Sequence, residues 1–169
     1  FGWRRRKELS FRDIGFQQTG IGLLVMVAIA GFVLAGTIEG IERQLGIKPG
    51  DLVPELIAPQ GFVWPHFVAV LITVGVIAPI AEEMIFRGVL YSWFRSRFNI
   101  PLAIFLNAGL FGLIHFGYPL PLMALVALMG AVFAWSFERT GSLWVPIVLH
   151  IGQNSAVVIA VYATLYFQR

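Results

Sequence analysis

Ionisable and amide side chains lie within the most apolar stretches of this chain, where a membrane protein rarely places them. These groups are two glutamates, an arginine, two histidines and an asparagine: Glu82, Glu83, Arg87, His115, His150 and Asn154. A charge in hydrocarbon costs several kcal/mol, so such residues normally face a protein interior and mark a functional site. Carboxylates, imidazoles and amides are the groups with which hydrolytic enzymes activate water and stabilise charge. We therefore expect chemistry rather than membrane anchoring alone.

Helical spacing places these groups on shared faces. Residues four apart lie on one face of a helix, so Glu83 can pair with Arg87, and His150 shares a face with Asn154. Pairing would reduce the cost of burying both charges. Glu82 points about 100° away from Glu83 and is free to face a cavity. Together with the helix that carries the other histidine, three helices can direct polar groups to one interior site.

The elements that must position these groups are spanning helices. The chain has 169 residues, of which 58% are hydrophobic and 12% are charged, about half the charge of a soluble domain. A spanning helix needs roughly 20 mostly apolar residues. Five segments approach that length: Gly15–Ile38, Pro65–Ile85, Pro101–Phe116, Pro119–Phe137 and Leu143–Leu165. We expect an all-α, polytopic transmembrane bundle of about five spanning helices plus an interfacial helical segment.

The interfacial segment is expected at Gly88–Phe98, where apolar residues alternate with polar ones and the second helix would bend at Pro79 or Gly88. The polar stretch Glu39–Gly61 is expected to form an outer loop with a short helix at Ile38–Leu45. A single membrane domain over residues 1–169 is predicted, since the spans leave no room for a second domain. The absence of an initiator methionine favours a fragment or processed product of a longer protein.

Charge placement predicts the orientation. With a cytoplasmic N-terminus, nine of the 12 Lys and Arg residues fall on cytoplasmic segments and three on outer segments, as the positive-inside rule requires. We expect a multi-pass protein of the cell membrane whose basic residues contact the lipid bilayer, and no binding of nucleic acid. Cysteine is absent, which excludes disulfide scaffolds, thiolate metal sites and cysteine nucleophiles.

Residue types also exclude three protease mechanisms. A membrane aspartyl protease needs two buried aspartates, but Asp13 and Asp51 lie outside the spans. The zinc-protease motif His-Glu-x-x-His and the Gly-x-Ser-Gly motif of rhomboid-type serine proteases are both missing. What remains is glutamate and histidine, either activating water directly or holding a metal.

Asn107 lies near the face of His115, but neither a structural nor a functional interpretation prevails, and it stays outside the candidate site.

The chain resembles the CAAX-protease and bacteriocin-processing family of intramembrane endopeptidases, also called Abi. Three motifs carry the resemblance, in order: Glu82-Glu83-x-x-x-Arg87, Phe111-x-x-x-His115 and His150-x-x-x-Asn154. Each motif alone is weak, but three in order on predicted spanning helices are specific. The resemblance covers roughly residues 65–160, which we expect to form the catalytic core.

The resemblance implies a role for each group. Glu82 would act as general base on a water molecule, which His115 would help to hold and polarise. Burial raises the pKa of a carboxylate toward neutrality, where a base works best. Glu83 and Arg87 would fix the helix and tune Glu82.

The resemblance also leaves the metal dependence open. His150 and Asn154 would stabilise the developing oxyanion. Alternatively, Glu82, His115 and His150 could supply three ligands of a catalytic divalent metal such as zinc, with an open fourth position. We favour the mechanism without a metal or other cofactor.

The predicted function is intramembrane hydrolysis of peptide bonds in peptide or membrane-protein substrates, at a site that opens toward the cytoplasmic half. Two alternatives remain: a non-catalytic membrane scaffold or bacteriocin-immunity factor, and a proton-coupled transporter that uses the buried Glu/His cluster. Straight helices would place the two histidines at different depths in the membrane. His115 lies about 21 Å from Pro101, where its helix begins, whereas His150 lies only about 10 Å past Leu143.

Overall fold

The computed structural model describes residues 15–44, Gly46 and residues 57–167. These ranges include five helices and no strand. The helices are α1 (Ile21–Gln44), α2 (Trp64–Arg95), α3 (Ile100–Leu113), α4 (Leu120–Thr140) and α5 (Trp144–Phe167). All except α3 are long and apolar enough to cross a membrane, and α3 is a shorter apolar helix of 14 residues. The predicted all-α membrane bundle is therefore confirmed, with four helices of full spanning length instead of about five.

Helix α1 begins and ends later in the sequence than predicted. It begins at Ile21 instead of Gly15 and continues to Gln44, so the predicted short helix at Ile38–Leu45 is the end of α1 and not a separate element. No proline interrupts this stretch, and an ion pair between Glu39 and Arg43 supports its last turns. Most of the predicted outer loop, residues 47–56, lies outside the described residues.

Helix α2 runs without interruption from Trp64 to Arg95 and contains two π-helical segments, Thr73–Ile77 and Met84–Tyr91. The predicted interfacial segment is thus mainly the end of α2, in accord with a second helix that continues past Arg87. Wider turns change which carbonyl groups are satisfied within the helix. The neighbouring helices supply the missing donors, and they do so beside the candidate site.

Helix α5 lies at the centre of the bundle. It runs parallel to α1, because Ser142, just before α5, contacts Thr19, and Gly152 packs against Gly31. A methyl group at Gly31 would overlap the carbonyl oxygen of Leu149, and one at Gly152 would lie 2.6 Å from that of Ala28. Glycine therefore permits the close approach of these two backbones, as is common between membrane helices.

Helices α3 and α4 form an antiparallel pair beside α2 and α5. The Asn99 side chain caps α3 by accepting a hydrogen bond from the Leu102 backbone at 3.0 Å. A methyl group at Gly112 of α3 would lie 2.8 Å from the Met123 carbonyl oxygen, and one at Gly130 of α4 would lie 3.0 Å from the Phe111 ring. The two glycines therefore let the helices pack closely, and this pair carries Phe111 to the interior face of the bundle.

We predict that Gly31→Ala destabilises the protein by about 1–3 kcal/mol, because the added methyl group overpacks the contact between α1 and α5. The free energy of unfolding in detergent micelles would measure this loss. Gly22→Ala is the matched control, since nothing lies within 4 Å of its methyl position and alanine is the better helix former. Equal effects of the two substitutions would contradict close packing at Gly31.

Candidate active site

A buried carboxylate links two helices of the site. Oε1 of Glu83 accepts a hydrogen bond from the Arg87 guanidinium at 2.9 Å and one from Nδ1 of His150 at 2.9 Å. The side chains of Glu83 and Arg87 are fully buried. A carboxylate can only accept, so Nδ1 of His150 carries the proton and Nε2 is left for other partners. The pair expected from the four-residue spacing is present, and it also orients His150.

The Arg87 guanidinium is held by a carbonyl group and by aromatic rings. It donates to the backbone oxygen of Gly130 at 2.8 Å and lies 4.6 Å from the ring centroid of Phe111 and 5.3 Å from that of Phe133. Such rings stabilise a desolvated cation. The ring of His150 stacks on Phe133 with centroids 4.6 Å apart. Arg87 thus connects α2 to α4, and the same aromatic group fixes the histidine.

Glu82, the neighbour of the buried glutamate, faces a cavity of about 650 Å³. Its side chain retains 28% exposure, and its Oε2 lies 3.9 Å from Nε2 of His150. That distance is too long for a direct hydrogen bond. The polar groups that line the same cavity include Glu82, His115, Tyr118, His150, Gln153 and Asn154.

His115 lies just past the end of α3 and reaches the cavity from the side of Tyr118. Its Nδ1 donates to the Phe111 carbonyl at 2.8 Å, which leaves Nε2 without a partner among the described residues. The rings of His115 and His150 flank Phe111, with centroids 5.2 and 5.9 Å from it. The two histidines therefore line one cavity, although no direct contact joins them within the described part of the chain.

Tyr118 was not singled out from the sequence. Its ring lies 5.7 Å from that of His115, and burial together with the negative charge of Glu82 raises the pKa of its phenol. The phenol therefore stays neutral at physiological pH and can donate a hydrogen bond into the cavity. Its position in a short turn gave no periodic signal, since only the fold brings this turn over Glu82.

Asn154 serves first as a link between helices. Its amide nitrogen donates to the Val74 carbonyl at 3.0 Å, in the first π-helical segment of α2. The amide still has a second N–H, and the residue lines the cavity. Asn154 is therefore placed for the predicted oxyanion role with one of its two donors already used.

Asn107, which lies outside the site predicted from the sequence, joins α3 to α2 next to that site. The side chain is fully buried and donates to the Phe86 carbonyl at 2.8 Å, in the second π-helical segment. The available signal was an amide in an apolar helix, four residues before Phe111. Such a group needs an internal partner in a membrane protein.

The cavity extends away from the basic end of the bundle. Its lining along α5 runs from His150 to Val161, about 16 Å, whereas Arg95 pairs with Glu138 beside the beginning of α5. With a cytoplasmic N-terminus, the cavity extends from His150, in the cytoplasmic half of α5, into the outer half. The expectation of a site that opens toward the cytoplasmic half stays a prediction.

The three residues proposed as alternative metal ligands do not come together in this conformation. Within the described ranges, no group of three or more His, Asp or Glu side chains is arranged to hold a metal ion. His115 is separated from His150 by the Phe111 ring. This conformation therefore does not fit a three-ligand metal site of Glu82, His115 and His150.

We predict that Arg87→Ala destabilises the protein by about 3–5 kcal/mol, because it leaves the Glu83 carboxylate buried with its cationic partner removed. Arg95→Ala is the control, since its pair with Glu138 is partly exposed, at 34% and 21%, and exposed ion pairs contribute little to stability. Unfolding in detergent micelles measures both. Similar losses for the two substitutions would contradict a special role of the buried pair.

Comparison with known proteins places the chain in a family. A family model described as type II CAAX prenyl endopeptidase Rce1-like matches residues 64–156. A Bacillus subtilis (strain 168) protein named "Putative membrane peptidase YdiL" is 31% identical over 145 residues, which are 85% of this chain and 59% of that protein. An Escherichia coli protein named "Uncharacterized 24.3 kDa protein" is 27% identical over 134 residues, which are 78% of this chain and 58% of that protein.

The chain thus spans about three fifths of the length of these curated relatives. No solved structure matches it. The matched region of the family model contains all three motifs, from Glu82 to Asn154. The family expected from those motifs is confirmed: the chain belongs to the Rce1-like family of type II CAAX prenyl endopeptidases, within the CAAX-protease and bacteriocin-processing family.

Proposed function

We propose that this chain is the catalytic part of an intramembrane endopeptidase that hydrolyses peptide bonds with a water activated by Glu82. The observation that carries the proposal is the pair of adjacent glutamates. Glu83 is buried and bonded to Arg87 and His150, whereas Glu82 faces the cavity beside the remaining nitrogen of His150. Membership in a family named for endopeptidases supports the same activity.

The reaction begins with a water held between Glu82 and His115. Glu82 removes a proton from this water, and Nε2 of His115 accepts the second hydrogen bond, since its Nδ1 is bonded to the Phe111 carbonyl. The resulting hydroxide attacks the carbonyl carbon of the scissile bond. Glu82 then transfers its proton to the leaving amine, so that it acts first as base and then as acid.

The oxyanion formed in that step needs donors. His150 donates from Nδ1 to Glu83, and its Nε2 faces the cavity beside Glu82, where a proton on that nitrogen would be donated to the oxyanion. The second N–H of Asn154 and the phenol of Tyr118 line the same cavity and would add neutral donors. Preorganised donors of this kind are worth a factor of about 10²–10³ each in rate.

The substrates proposed are peptides or membrane-associated proteins that enter the cavity from the bilayer. We also propose that the protein resides in the cell membrane with a cytoplasmic N-terminus, in accord with Arg95 and Arg139 at one end of the bundle. In this orientation the cavity extends from His150, six residues past the beginning of α5, toward the outer half of the membrane.

We predict that Glu82→Gln abolishes cleavage, with a loss of at least about 100-fold, while the protein still folds. New peptide termini would be compared in membranes that carry the wild-type or the Glu82→Gln chain at equal expression. Glu138→Gln is the matched control, because Glu138 pairs with Arg95 outside the cavity. Identical termini for wild type and Glu82→Gln would contradict the protease and favour a scaffold, or a transporter if a pH gradient drives flux.

The choice between direct and metal-assisted activation of water has its own test. We predict that prolonged treatment with 1,10-phenanthroline or EDTA leaves the cleavage rate of the purified protein unchanged. A loss that added Zn²⁺ restores would contradict the metal-free mechanism. It would also imply that His115 moves toward Glu82 and His150 when substrate or metal binds.

A further inference from the structure

A second carboxylate faces the cavity far from Glu82. Glu42, on the last turns of α1, is only 7% exposed and lines the cavity. No hydrogen bond or ion pair joins it to another residue in the described part of the chain. The carboxylate is not among the fully buried unpaired polar groups of the described residues, so it is accessible from the cavity. The position can therefore accept a cationic group that enters the cavity.

The charge of the cavity indicates the sign of that partner. Three glutamates line it, Glu39, Glu42 and Glu82, and none of the described residues that line it is Lys or Arg. Glu39 is already paired with Arg43, and Glu82 lies beside His150. Among the described residues, Glu42 is the one of these three carboxylates that has neither an arginine nor a histidine as a partner. A cation that enters the cavity can therefore pair with Glu42.

The distance from the reacting groups follows from the parallel packing of α1 and α5. Gly31 packs against Gly152, and Gly152 is two residues from His150. Glu42 is eleven residues past Gly31, so it lies about 20 Å beyond His150 along the bundle when the two residues from His150 to Gly152 are included. An extended peptide spans this distance with about six residues. The lining between the two positions is mostly apolar, with Ile38, Val157 and Val161 among its residues.

We propose that Glu42 forms a subsite that binds a Lys or Arg side chain of the peptide substrate, about four to six residues from the cleaved bond. The proposal rests on the proposed function, since it assigns specificity to the same cavity. The aliphatic stem of a lysine or arginine suits the apolar lining, and its charged end reaches the carboxylate. The charge-assisted bond forms away from bulk water, where it is strong.

Binding can be measured without catalysis. The probes are acetylated, fluorescein-labelled 15-residue peptides of leucine and alanine that carry Lys, norleucine or Glu at one central position. They are titrated against the full chain in lipid nanodiscs, with Glu82→Gln present to prevent cleavage. We expect the Lys peptide to bind about tenfold more tightly than the norleucine peptide. Acetylation removes the terminal amine as a competing source of positive charge.

Two further variants decide the assignment. In the Glu82→Gln background, Glu42→Gln should remove the preference for Lys, and Glu42→Lys should transfer it to the Glu peptide, which a folding defect would not do. Glu39→Gln is the matched control, because that carboxylate is paired with Arg43, and the preference should persist. Equal affinity for the Lys and norleucine peptides, or a preference that survives Glu42→Gln, would overturn the subsite.

The cleavage sites provide the second arm. In an active chain, Lys and Arg should be enriched at one distance of four to six residues from the new termini, and Glu42→Gln should abolish that enrichment while cleavage continues. Termini with the same sequence preference in both chains would refute the subsite and leave the protease intact. A Lys preference in binding without any termini that depend on Glu82 would refute the protease and leave the cation site intact.

Discussion

The buried carboxylate of Glu83 is the interaction on which the rest of the site depends. One of its oxygens accepts from Arg87 and from His150, and both side chains of the ion pair are fully removed from solvent. Isolated charges in such an environment cost several kcal/mol each, so the arrangement is stable only when every partner is present. Because Arg87 also donates to the Gly130 carbonyl, the same charges fix the positions of α2, α4 and α5 relative to one another.

A second constraint comes from the backbone of α2. Its π-helical segments present carbonyl groups to side chains of neighbouring helices, and in lipid such groups must be satisfied internally. Asn154 and Ser155 of α5 donate to Val74 and Gly75, and Asn107 of α3 donates to Phe86. The irregular turns are therefore sites of attachment. They hold α3 and α5 at the depth where the candidate catalytic groups enter the cavity.

The sequence predicted what depends on local periodicity. The pairing of Glu83 with Arg87 and the separate direction of Glu82 follow from helix geometry alone. The bond between Glu83 and His150, by contrast, joins residues 67 positions apart, and no spacing rule predicts it. Asn107, Tyr118 and Glu42 were missed for the same reason, since the packing of other helices decides whether a polar group faces lipid, a carbonyl or a cavity. Helix α1 continues to Gln44 because polar residues also suit a helix when they pair along it, as Glu39 does with Arg43, so polarity alone does not mark the end of the helix.

Adjacent positions on one helix thus give two identical side chains opposite roles. Glu83 has two donors on one oxygen and no exposure, so protonating it would break the pair that orders the bundle, and it cannot serve as a mobile base. Glu82 has no hydrogen bond within the described residues and retains contact with the cavity, so it can gain and lose a proton without disturbing the packing. His150 connects the two, because one nitrogen donates to Glu83 and the other faces Glu82, the proposed base. Helix geometry therefore separates the stabilising charge of Glu83 from the proposed catalytic charge of Glu82, although the two residues are adjacent in sequence.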